Sequence, residues 1–296
     1  MSDTTLSLLL ALGATLSFSS SSVVYAQYSK RFSILWMNCL KSLVAFIALA
    51  ITIPIFSTWE MPQLISSGGF LLSGLIALNI GDLFLLSAFT QLGVARTLIL
   101  FGFQPLFMGI AAFFIFDQPL NPWRFLAVLF LIACLFVFSL ERYKLEKRWE
   151  VSGLVFALVG VLLDTCGVLL SRGAFNLSPQ VGAMEGQFLR CAGALFGFAI
   201  MGCFRPFPVL KGFLNCDLRQ RSMLIVACLG GTYISLILYL SAVKIGHLAS
   251  IASIAITGPV FATSIECLVQ RKRPSAYLLV AFALFSIGFF ILLRTT

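Results

Sequence analysis

The chain has 296 residues, 60% of them hydrophobic and 10% charged, and a mean hydropathy of +1.03. Soluble domains carry about 25% charged residues, so a water-soluble fold is excluded: it would have no place for this much apolar surface. The net charge of +9 does not point to nucleic acid, because the cations lie in short segments between apolar runs and not on one basic face.

A helix that crosses the hydrocarbon of a bilayer needs about 20 mostly apolar residues. Runs of that kind lie at 6–27, 32–56, 69–90, 95–116, 123–140, 151–170, 181–204, 222–243, 248–269 and 275–294. Stretches such as Leu126 to Ala133 are apolar without alternation, which excludes the strands of an outer-membrane barrel. Helices satisfy their own backbone in lipid, so the expectation is an all-α integral membrane protein with ten transmembrane helices. The only charged side chain before Leu6 is Asp3, unlike the basic start of a signal peptide, and the first run is expected to remain as a helix. None of the eight cysteines forms a CxxC pair; they read as small buried hydrophobes.

Fourteen of the 20 Lys and Arg fall between an odd run and the even run after it, four fall on the other side, and Lys41 and Arg190 lie within runs. Basic loops stay cytoplasmic. The expected placement is a multi-pass protein of the cell's inner (cytoplasmic) membrane with both termini outside the cytoplasm.

The chain repeats itself. Leu86-Ser87-Ala88 matches Leu240-Ser241-Ala242, and at the same offset Ala95 meets Ala249, Pro105 meets Pro259 and Phe107 meets Phe261. The second run carries Asn38 and Lys41, and the seventh carries Gln187 and Arg190, again an amide three residues before a cation. The expected domains are a first five-helix repeat at 1–143, a charged linker at 144–150 and a second repeat at 151–296. Because five is odd, the second repeat would insert upside down, the inverted-repeat plan of many secondary transporters.

Charges inside a bilayer are costly and mark function by default. Lys41, Asp82, Asp164, Arg190 and, nearer a helix end, Glu185 qualify. Asn79 precedes Asp82 by three residues, a spacing that puts both side chains on one helix face. Two readings stand. In one, Asn38, Lys41, Asn79, Asp82, Asp164, Gln187 and Arg190 line a solvated cavity, with Gln104 and Tyr233 (or Tyr239) beside them; the cations hold a carboxylate or phosphate, and an aspartate holds an ammonium or a coupling proton. In the other, Lys41–Asp82 and Arg190–Asp164 are internal ion pairs. Pro105 and Pro259 interrupt matching helices, as hinges at the binding region or as packing kinks. The serines at 17 and 19–22 read as close-packing residues or as hydroxyls on the cavity.

The sole histidine, His247, excludes a multi-histidine zinc site and a mid-membrane Ser–His pair. No P-loop occurs. No catalysis, cofactor or metal is expected; an Asp82–Asp164 dyad is the residual enzymatic reading. Two halves of one kind suit a carrier better than the multi-subunit filter of a channel. Lipid or lipid-linked solute translocation is the main alternative.

These features resemble the drug/metabolite transporter superfamily, and specifically its ten-helix EamA-type branch. The resemblance rests on a cation in the second helix of each half (Lys41, Arg190), a proline in the fourth (Pro105, Pro259) and the turns Phe116-Asp117-Gln118-Pro119 and Gln270-Arg271-Lys272-Arg273-Pro274. Members usually carry Leu-Gly-Glu before the fifth helix, where this chain has Phe116-Asp117 and Val269-Gln270, and often Arg where it has Lys41. The resemblance implies a secondary transporter, an exporter of a small polar metabolite such as an amino acid, working by alternating access as a monomer or homodimer. Its partners would be the small-molecule substrate and membrane lipid.

Overall fold

A computed structural model gives the fold and describes residues 3–56, 59–60, 62–116, 126, 129–130, 133, 136–137, 140, 151–204, 206–246, 248–255, 257–259, 261–262, 265 and 275–294. The expectations placed on the 144–150 linker, the turns at 117–119 and 270–274, His247 and most of the fifth run lie outside these residues.

The described residues contain helices and no strand. In chain order they are α1 (Asp3–Arg31), α2 (Ile34–Phe56), α3 (Leu64–Leu92), α4 (94–116), α5 (Val151–Leu177), α6 (Ala183–Phe204), α7 (Leu218–Ile245), α8 (Leu248–Ala255) and α9 (Ala276–Arg294). A short helix, Val209–Leu214, lies between α6 and α7. Six of these helices (α1, α2, α3, α5, α6 and α7) are long and apolar enough to cross a bilayer. Several extend past the apolar runs that announce them. Arg172 thus belongs to α5 and not to a loop, and donates to the carbonyls of Val243, Lys244 and Gly246 at the end of α7. There it satisfies carbonyls left open where a helix stops.

Three helices change pitch along their length. α3 winds as a π-helix over Gly74–Gly81, and α7 does so over Leu229–Ile234. α4 tightens to a 3-10 turn over Phe101–Phe103, immediately before Gln104 and Pro105. Pro105 has no N–H to give the preceding turn and its ring crowds it, so the break falls N-terminal to the proline.

The helices pack in pairs. α1 lies along α7, α3 along α5, α2 along α6, and α4 against α8. α3 and α6 also touch backbone to backbone: a Cβ on Gly74 would sit 1.8 Å from the Arg190 carbonyl oxygen, and one on Gly193 would sit 2.0 Å from that of Leu71. Only glycine allows this approach at either position. α3 and α4 are joined through Gly93 alone, whose φ of 90° is open to glycine and strained for other residues.

Candidate substrate cavity

Lys41 stands two turns into α2, 2% exposed, and donates to Asp82 Oδ2 on α3. Its ammonium also lies 5.5 Å from the centre of the Tyr25 ring, within cation–π range. Removing either partner would leave an uncompensated charge inside the protein. Tyr25 is itself fixed, its hydroxyl 2.8 Å from the Ala227 carbonyl and 3.0 Å from Thr232 Oγ1. α1, α2, α3 and α7 thus meet around one cation.

Asp164, on α5, accepts a hydrogen bond from Gln104 Nε2 at 2.7 Å through Oδ2. Gln104 follows directly on the 3-10 turn of α4 and is 2% exposed. The break in α4 therefore presents an amide to the carboxylate. Of the two ion pairs in the alternative reading, Lys41–Asp82 forms and Arg190–Asp164 does not. Arg190, 1% exposed on α6, donates from Nε to Ser73 Oγ at 3.0 Å and from Nη1 to Gln187 Oε1 at 3.3 Å. Ser73 in turn bridges to α5 through the Gly167 carbonyl at 2.7 Å and Ser171 Oγ at 2.8 Å. A guanidinium with fixed neutral partners is held in place here without a carboxylate.

A cavity of about 90 Å³ opens beside these groups. Lys41, Asp82, Gln104 and Asp164 line it together with Thr15, Phe18 and Ser19 of α1, Phe101 of α4, Thr232, Ser235 and Tyr239 of α7, and Gly258. Both proline-associated breaks reach it, one through Phe101 and Gln104, the other through Gly258, the residue before Pro259. At about 30 Å³ per water, this conformation has room for a few waters or a small solute.

The other sequence-selected residues lie outside the lining. Asn38, fully buried, donates from Nδ2 to the carbonyls of Leu78 at 3.1 Å and Asn79 at 2.9 Å. Gln187 donates from Nε2 to the Thr232 carbonyl at 3.4 Å. These acceptors lie in the two π segments, where the widened pitch frees carbonyls that the apolar interior cannot solvate. Asn79 donates to the Ala194 carbonyl of α6 at 3.2 Å. Tyr233 packs in an apolar cluster with Cys39, Leu78 and Cys191, whereas Tyr239 lines the cavity. Glu185 is 1% exposed near the start of α6. The helix-one serines divide: Ser17 bonds the Gly230 carbonyl at 2.7 Å, while Ser19 lines the cavity. Spacing could not single out Phe101 or Ser235; the one available signal was the proline that places Phe101 at a break.

Six helices long and apolar enough to span a bilayer, stacked around an internal cavity with charged walls, define a multi-pass membrane protein. Residues 5–140 match the model of the EamA-like transporter family, part of the drug/metabolite transporter superfamily, and over that stretch the chain is similar to it. A solved crystal structure is 15% identical and covers 97% of this chain and 96% of its own with a TM-score of 0.70. That likeness establishes the shared fold and carries no function with it. No curated protein matches the chain.

Proposed function

We propose that the protein is a secondary carrier that exports a small polar metabolite, such as an amino acid, from a cavity enclosed by two inverted five-helix repeats. The observation that carries this reading is the cavity's wall. Lys41–Asp82 and Gln104–Asp164 face one space, and α1 to α4 of one half meet α5 and α7 of the other around it.

The inverted plan is supported by the packing. Counting helices within each half, first packs on third (α1–α7), third on first (α3–α5), second on second (α2–α6) and fourth on fourth (α4–α8). Exchanging the halves leaves this set of pairs unchanged. The pitch changes obey the same exchange: each third helix carries a π segment, and each second helix sends an amide into it, Asn38 in one half and Gln187 in the other. Substrate sites of inverted-repeat carriers lie at the repeat interface. Alternating access would then rock the halves about the interrupted helices of Pro105 and Pro259. On this plan the basic loops face the cytoplasm and both termini face away from it.

The test is untargeted metabolite analysis of the medium from cells that express the wild type, Asp164→Asn or an empty vector, at matched membrane levels. A solute that accumulates outside only with the wild type supports export through this cavity and names the substrate. Identical media in all three refute export and turn attention to lipid translocation.

A further inference from the structure

We infer that the cavity selects its solute by an amine: a protonated primary or secondary ammonium is the group the site recognises, and a carboxylate on the solute is dispensable. This inference rests on the carrier reading and deepens it.

The argument is a comparison of the charged groups that reach the cavity. Lys41, Asp82 and Asp164 line it. Lys41 is already committed, with Asp82 as its hydrogen-bonded counter-charge and the Tyr25 ring beside it. An anionic solute would have to break that pair inside a low-dielectric interior, where separating the charges is expensive. Arg190 provides no second anion site. It does not line the cavity, and its donors Nε and Nη1 are engaged by Ser73 and Gln187. It offsets negative charge from behind the wall, outside the lining that the solute meets.

Asp164 differs from all three. Its only hydrogen-bond donor among the described residues is the neutral amide of Gln104, which occupies Oδ2. Oδ1 carries no hydrogen bond there, and the residue faces the cavity without a cation bonded to it. A carboxylate in this state calls for a positive partner. A second unfilled group lies on the same wall: Ser19 Oγ is buried, lines the cavity and has no hydrogen-bond partner among the described residues. An ammonium has three donors and no acceptor, so a carboxylate oxygen and a hydroxyl oxygen are the kinds of group it needs. The remaining lining suits the rest of such a solute. Phe18, Phe101 and Tyr239 supply ring surface, which receives both alkyl groups and cations.

The test uses purified full-length protein and three probes with closely related short aliphatic bodies: n-butylamine, its amino-acid counterpart norvaline, and n-butyrate. Thermal unfolding in detergent at fixed pH and ionic strength reads binding. The expected result is that n-butylamine and norvaline raise the unfolding temperature in a saturable way while n-butyrate does not, with the apparent affinity for n-butylamine falling about tenfold or more in Asp164→Asn. The comparison among probes on the wild type stands even if the variant fails to fold. Binding of n-butyrate as tight as that of n-butylamine, binding of norvaline alone, no binding of n-butylamine, or undiminished binding in a folded Asp164→Asn protein would each overturn the inference. Proteoliposome flux separates the two readings. n-Butylamine that binds without crossing removes the carrier reading and leaves the amine site. Transport of a solute without an amine, uncontested by n-butylamine, removes the amine site and leaves the carrier.

Discussion

The Asn38 side chain donates to the backbone carbonyl of Asn79 at 2.9 Å, and to that of Leu78 at 3.1 Å, from a fully buried position on the neighbouring helix. A π turn in a membrane helix leaves carbonyls out of register with the ladder, and no water in the hydrocarbon takes them up. One amide thus makes the irregular stretch of α3 affordable where Asp82 begins the following α-helical turn.

Asn38→Leu keeps the side chain's approximate size and removes the donors. Two buried carbonyls lose a partner, at about 1–3 kcal/mol for an unsatisfied group. A lowered unfolding temperature is expected in detergent. Gln187→Leu should have a smaller effect, because its bond to the Thr232 carbonyl is a single long contact of 3.4 Å. Equal stability of wild type and Asn38→Leu would show that the π segment does not depend on this amide.

The backbone contact of α3 with α6 sets a second expectation. Gly74→Ala and Gly193→Ala drive a methyl group into a main-chain oxygen of the other helix, at 1.8 and 2.0 Å before any shift, and backbone cannot swing aside as a flexible side chain can. Both variants should yield little folded protein. Gly68→Ala and Gly173→Ala serve as controls, since a Cβ at either position meets nothing within 4 Å; these should be neutral or gain up to about 1 kcal/mol of helix stability. Size-exclusion profiles of fluorescently tagged variants would read all four.

Much of this architecture is legible in the sequence because the bilayer imposes it. Twenty apolar residues in a row admit few alternatives to a helix, and an Asn or Lys amid them stands out by its cost. Legibility fails one level deeper. Asn38 and Gln187 share the spacing of Lys41 and Arg190, and spacing assigns all four to a polar face without telling a solute from a stranded carbonyl. The two π segments decide that, and neither Gly74–Gly81 nor Leu229–Ile234 has a local pattern that distinguishes it from an α-helix. An Arg190–Asp164 ion pair was one of two readings left open by the charges; the fold hydrogen-bonds Arg190 to Ser73 and Gln187, and Asp164 to Gln104. Pro105 was readable as a break, and the break does open on the cavity, but which side chains it delivers there depends on the turn at Phe101–Phe103.

Lys41 and Asp82 supply a prediction about charge. Lys41→Met alone leaves Asp82 without its cation, and Asp82→Leu alone leaves Lys41 buried and unpaired; each should cost about 3–5 kcal/mol. The double variant Lys41→Met/Asp82→Leu removes both charges together and should recover much of that loss. A double-mutant cycle measured by unfolding would give a large coupling energy. Additive losses would mean that the two charges are separately solvated by the cavity and that the pair seen between α2 and α3 contributes nothing to the fold.

Pro105 bears on motion. The 3-10 turn at Phe101–Phe103 ends where Pro105 withholds its N–H, and Gln104 beside it holds Asp164. Pro105→Ala restores the missing donor and lets α4 continue as a regular helix, a change worth up to about 3 kcal/mol in helix propensity. If the break is a hinge, the variant should be as stable as the wild type or more so, and should bind solute, yet move it more slowly across proteoliposomes. Pro259→Ala should behave alike, because the turn at Thr257, whose N–H meets the Ile254 carbonyl at 2.9 Å, precedes that proline in the same way. Reduced stability with unchanged flux per folded molecule would assign both prolines to packing, since a kink that only fits neighbouring helices together affects how much protein folds and not how fast the folded protein turns over.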